Sequence, residues 1–155
     1  MSWWNDKWLA GICERFGDRE DIGRQAVYER FFAGEELSKT EVFEVFDFIE
    51  SEYGPIAGLL RPKDSLEEKF FTPVKTNNPL RWGEYEIRAG DGQLSMGDEL
   101  EKQLKKCGIK RYEDWPRIET IEDLVRVWCG RIPPRENPSS RVEHYRNAAQ
   151  DGSSK

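Results

Sequence analysis

Few residues in this chain could do chemistry. The single histidine, His144, lies in a polar carboxyl-terminal stretch. That placement removes the usual base from a Ser-His or Cys-His arrangement and the commonest ligand from a transition-metal site. The three cysteines, Cys13, Cys107 and Cys129, are odd in number and far apart, which fits neither a disulfide framework nor a zinc site with close ligand pairs. They read as buried free thiols. Cys107 and Cys129 fall at carboxyl-terminal helix ends, where nothing lowers a thiol pKa. The acidic pairs Glu67-Glu68 and Asp98-Glu99 read as solvated faces. Gly90-Asp-Gly-Gln has no Gly-Lys-Ser/Thr after it and reads as a turn. Two serines remain. Ser95 stands where a helix over Met96 to Lys106 is expected to start, and a helix start tolerates an incoming phosphate. With Asp98 three residues on, Ser95 also makes a capping box, which is sufficient reason for a serine there. Ser65 sits in Asp64-Ser-Leu66, ahead of a short helical turn.

The elements that would position these groups are helical. Trp4, Trp8, Ile12 and Phe16 recur every four residues and predict a helix from Ser2 or Asn5 that ends at Gly17-Asp18. Trp3 lies off that stripe and is the one expected to be exposed as a partner contact. A second helix is expected from about Asp21 to Phe32, closed by Gly34. The clearest helix starts at Ser38, with Glu41 completing a capping box, buries Val42, Val45, Phe46, Ile49 and Tyr53, and stops at Gly54-Pro55. Phe43 and Phe48 lie off the stripe and imply cover on two sides. Between Ile56 and Pro79 prolines and glycines punctuate the chain, with a helical turn at Ser65 to Phe71 capped by Asp64. Glu84 to Ile87 alternate charged and apolar residues before the Asp91-Gly92 turn signal, a pattern compatible with one short β-hairpin. The Met96 helix turns Leu100 and Leu104 inward and ends at Gly108. Thr120, with Asp123 in the capping-box position, starts a last helix through Ile121, Leu124, Val125 and Trp128 to Gly130.

Composition sets outer bounds. The 155 residues, 37% hydrophobic and 35% charged, suit a single helical domain over 1–132 and a mostly disordered tail over 133–155 with a helical turn near Val142 to Ala149. A net charge of −6 with interspersed signs argues against nucleic acid as a partner and favours a basic one. The amino terminus lacks the basic start and apolar stretch of a signal peptide, and no run is long enough to span a bilayer. A cytoplasmic protein with no membrane partner is expected.

Three segments carry a family resemblance: Pro62-Lys-Asp-Ser-Leu-Glu-Glu-Lys-Phe70, Leu94-Ser-Met-Gly-Asp-Glu-Leu-Glu-Lys-Gln-Leu104 and Ile118-Glu-Thr-Ile-Glu-Asp-Leu-Val125. In that order, over about residues 40 to 130, the chain resembles an acyl carrier protein-like domain. In that family a long first helix leads into a P-x-D-S-L type loop, a serine at the start of the second helix carries phosphopantetheine, and a T-[VI]-x-D-L-V type helix closes the bundle. Ser95 takes the place of the attachment serine, with Met96 as the apolar residue after it and Glu99-Leu100 resembling the E-L pair one residue early. Ser65 occupies the connecting loop. The motif departs from the family at Leu94, where an aspartate is usual, and at Lys102, Lys105 and Lys106 on the acidic recognition surface. About twenty residues, Pro73 to Gly92, are inserted.

The resulting expectation is a mainly α fold, a small acyl-carrier-like helical bundle with extra amino-terminal helices. It is read as a non-catalytic module that binds another protein and carries no cofactor or metal. One alternative is a working acyl or peptidyl carrier with phosphopantetheine on Ser95. Another is an unrelated small helical adaptor, contacting partners through the aromatic amino terminus or the 73–92 insertion. A carrier-like topology requires the Thr120 helix beside the Ser38 helix and a short helix between Lys110 and Trp115.

Overall fold

A computed structural model of the chain describes residues 3–131, with side chains from Lys7 onward. It contains five α-helices: α1 (Trp3–Glu14), α2 (Arg24–Phe31), α3 (Lys39–Tyr53), α4 (Trp82–Lys106) and α5 (Ile121–Trp128). Short 3-10 turns and one π-helical turn at Glu67–Phe71 join them. The fold is mainly α, a small helical bundle. Among the described residues the one β feature is an isolated bridge between Ser65 and Thr120.

The helix α3 forms the centre. Ser38 is extended and its hydroxyl accepts the Glu41 amide at 3.5 Å. Only this half of the expected capping box is present. The stripe Val42, Val45, Phe46, Ile49 and Tyr53 is buried as its spacing predicts. Phe43 lies against Tyr28, with ring centroids 6.1 Å apart, and Phe48 against Trp128 at 5.6 Å, so α3 is covered on two sides. α5 packs against both α3 and α4. Its start has both halves of the capping box: Thr120 Oγ1 accepts from the Asp123 amide at 3.2 Å, and Asp123 Oδ2 accepts from the Thr120 amide at 3.1 Å.

Trp8, Ile12 and Phe16 bring α1 into the same core. The side chains of Trp3 and Trp4 lie outside the described residues, as do the tail over 132–155 and His144. α2 begins at Arg24 rather than Asp21. The Asp21 carboxylate accepts the Gly23 amide at 3.0 Å, and Gly23 takes a left-handed φ of 81°, so the chain is turning where helix was expected. At the far end of α2 the left-handed residue is Glu36, not Gly34.

The largest departure from expectation is α4. Residues 84–92 form no hairpin; they are the first half of a 25-residue helix. Tyr85, Ala89, Gly92, Met96, Leu100 and Leu104 fall three or four apart and share its buried face. The alternation that suggested a strand places Tyr85 inside and Ile87 outside. Gly108 (φ 83°) ends the helix, its amide donating to Lys105 O and the Ile109 amide to Leu104 O, the paired bonds of a Schellman cap.

Candidate interaction groove

Two latches fix the loop over 56–72, which forms one wall of the groove. Asp64 is buried and receives Arg19 Nη1 and the Arg61 amide, at 2.7 and 2.8 Å. It was expected to cap the turn at Ser65. The carboxylate instead holds its own loop to Arg19, and Ser65 Oγ does the capping, accepting the Glu68 amide at 3.2 Å. In the second latch the Arg15 guanidinium donates to the carbonyls of Lys69 (2.9 Å) and Thr72, while Lys69 Nζ donates to Arg15 O at 2.7 Å. Each cation meets carbonyls left over at the end of the other's helical segment. Burial lowers the Arg15 pKa from its ordinary value, with Tyr53 opposing.

The same loop is sewn to the start of α5. The Leu66 amide donates to Glu119 O (2.9 Å), the Ile121 amide to Asp64 O (3.1 Å) and the Glu122 amide to Pro62 O (3.0 Å). α4 packs against both the Glu67–Phe71 turn and α5, so the three segments singled out in the sequence, 62–70, 94–104 and 118–125, meet in space.

Where they meet, α4 and the segment 110–119 stand apart and leave a groove of about 780 Å³. Leu66, Phe71, Leu94, Met96, Leu100, Trp115 and Ile118 supply its apolar lining, with Leu94 at the exposed edge, and Asp98, Glu101, Glu113 and Glu119 stand with Lys110 and Arg117 around it. A 3-10 turn at Tyr112–Asp114 and the buried Pro116 shape the outer wall. Tyr112 is 79% exposed and rests on Trp115, with ring centroids 5.1 Å apart. Phe71, Trp115 and Ile118 are half-buried. Sequence reasoning read Leu100 as a core position and missed Phe71, Trp115 and Ile118 as parts of one lining, since these three sit in turns and irregular chain where no period marks them. The one signal was three large apolar residues, Tyr112, Trp115 and Ile118, spaced by three around a proline.

The predicted site residues are not assembled into a reactive centre. Ser95 is half-exposed in the middle of α4. The helix-start placement that would favour a phosphate there is absent, because the helix already began at Trp82. The thiols differ from expectation as well: Cys13 and Cys107 are exposed, and Cys129 is half-buried. Burial pushes the Cys129 thiol up to about 12, with the Glu41 carboxylate adding to the effect, so it is held protonated. Among the described residues no group of three or more His, Cys, Asp or Glu is placed to hold a metal ion. No helix among them is long and apolar enough to cross a membrane.

No protein-family model matches the chain, and no curated protein or solved structure matches it.

Proposed function

We propose that the chain is a non-catalytic, carrier-like helical module that works by binding another protein in the groove between α4 and residues 110–119. The observation that carries this reading is the groove's chemistry: an apolar floor of half-buried Phe71, Trp115 and Ile118 under a rim of mixed charge. Such a floor with polar edges is the form of a site for an amphipathic segment, in which aromatic side chains supply most of the binding energy. Two further observations support the carrier-like description: α5 lies beside α3, and a helical turn occupies Tyr112–Asp114.

A photo-crosslinking residue in place of Tyr112, at the groove mouth, tests the reading; Glu29, exposed on α2, is the control position. The expected result is one protein captured from position 112, not from 29, that binds the purified chain and is lost with Trp115→Ala. Equal capture at both positions, or none, would reject it.

The second reading, a working carrier with phosphopantetheine on Ser95, shares the assembly of the three segments. It has less support, because Ser95 lies within a continuous helix.

A further inference from the structure

The outer face of α4 carries a repeat that the bundle does not use. Leu80, just before the helix, and Ile87 and Leu94 within it are seven residues apart, and they are 90%, 64% and 68% exposed. Gly83, Gly90 and Gly97 are also seven apart and fall between them at alternating steps of three and four. These are the two seam positions of a heptad, one bulky and one bare. Beyond the chain neighbours and the local backbone of the helix itself, no described atom lies within 4 Å of a Cβ built on any of the three glycines, so packing within the bundle does not explain them. Glycine is the poorest helix former after proline, and the row lies away from the Tyr85, Ala89, Gly92 and Met96 side that packs into the core.

We propose that this face pairs with the same face of a second copy of the chain, helix against antiparallel helix. The register is self-complementary. About a two-fold axis passing between Arg88 and Ala89, Leu80 meets Gly97 of the partner subunit, Ile87 meets the partner's Gly90, and Leu94 meets Gly83 of the partner subunit. Two-fold symmetry supplies the reverse contacts, making six layers in which a bulky side chain enters the space over a glycine. Such an isologous contact requires the same patch to fit itself, and alternation of large and small residues in one register provides that fit. The glycines let the backbones approach more closely than the usual helix-to-helix spacing. The seam runs about 26 Å at 1.5 Å per residue. One helix pair of that length falls at the small end of specific interfaces, so the dimer is expected to be weak and reversible.

The flanking charges set a condition on this pairing. In the same register Glu84 faces the partner's Asp91, like charges in solvent, while Glu86 faces the partner's Gln93, which can donate to it. Screening weakens the repulsion, so dimerisation should strengthen as salt rises. The seam shares Leu94 and Gly97 with the edge of the groove, whereas Leu80, Gly83, Glu84, Ile87 and Gly90 lie outside the groove lining, so substitutions at positions 84, 87 and 90 test the pairing without altering a groove residue.

Sedimentation velocity of the full chain from about 1 to 500 µM, in low and in 0.5 M salt, tests the proposal over the range in which a small, reversible interface associates. Dimer mass should rise with concentration and with salt. Ile87→Asp should abolish it. Gly90→Ala should raise Tm, since the methyl enters open space in the monomer, yet weaken dimerisation at least tenfold. Glu84→Lys should tighten it several-fold and reverse the salt dependence by pairing with Asp91 of the partner subunit. A misfolding variant could not produce that gain. A monomer under every condition, or a dimer that ignores Gly90→Ala and Glu84→Lys, would overturn the proposal; binding of a lysine-flanked amphipathic peptide by such a monomer would assign the face to a basic helix instead.

Discussion

The Tyr53 hydroxyl at the end of α3 lies directly over Gly92 in the middle of α4, where a Cβ would overlap it. The hydroxyl is buried and has no hydrogen-bond partner among the described residues, and the ring stacks on Phe70 with centroids 4.5 Å apart. Gly92→Ala should therefore cost about 1–3 kcal/mol through overpacking, although alanine is the better helix former. Tyr53→Phe removes both the clashing atom and the unsatisfied polar group, so most of the loss should vanish in the double variant. Urea denaturation of the four proteins in the cycle measures the coupling.

The other glycines of α4 should behave oppositely. Gly83, Gly90 and Gly97 each have room for a methyl group. Alanine at each should stabilise the monomer by about 0.5–1 kcal/mol through reduced unfolded-state entropy and better helix propensity. Thermal denaturation of the single variants at low concentration checks the sign.

Asp64 should be the most sensitive charged position in the loop. Its carboxylate is 6% exposed and holds both Arg19 and the Arg61 amide. Asp64→Ala leaves a part-buried guanidinium without its carboxylate and should cost about 3 kcal/mol. Arg19→Ala should cost a similar amount, and the double variant less than the sum. Denaturant midpoints report all three.

Alkaline pH should loosen the bundle. Burial raises the Tyr53 pKa above its ordinary value of 10.0, with Glu52 adding and Arg15 opposing, and the Cys129 thiol is pushed from 9.0 to about 12. Between the unfolded and folded values the unfolded chain has released protons that the folded chain still holds, so stability falls as pH rises. The decline should begin near pH 9 and steepen above pH 10. Tyr53→Phe should flatten the part above pH 10, as stability measured from pH 7 to pH 11 would show.

Helices with a cap, a buried stripe and a stop were legible in the sequence. For α3, Ser38, five apolar residues at helical spacing and Gly54-Pro55 agree with one another, and for α5 Thr120, Asp123 and Gly130 do the same. The amino-terminal half of α4 was not legible. Glu84 to Ile87 alternate as a strand does, and Asp91-Gly92 has the letters of a turn; what decides for helix is tertiary, since Tyr85, Ala89 and Gly92 become one face only when Tyr53 and the rest of the core lie against them. The start of α2 was misplaced because Asp21 acts on Gly23 in a turn packed against Gly58, a contact between distant residues. The groove was hidden for a related reason. Its floor is drawn from a π-helical turn, a long helix and an irregular segment, and only the fold brings Phe71 to Trp115.

The intact mass of the full chain after incubation with coenzyme A and a broad-specificity phosphopantetheinyl transferase tests most directly whether the module works by docking or by carrying a covalent arm. Docking predicts an unchanged mass, with Ser95→Ala indistinguishable from the parent. A phosphopantetheine mass gain that Ser95→Ala abolishes would contradict it and make the chain a working carrier.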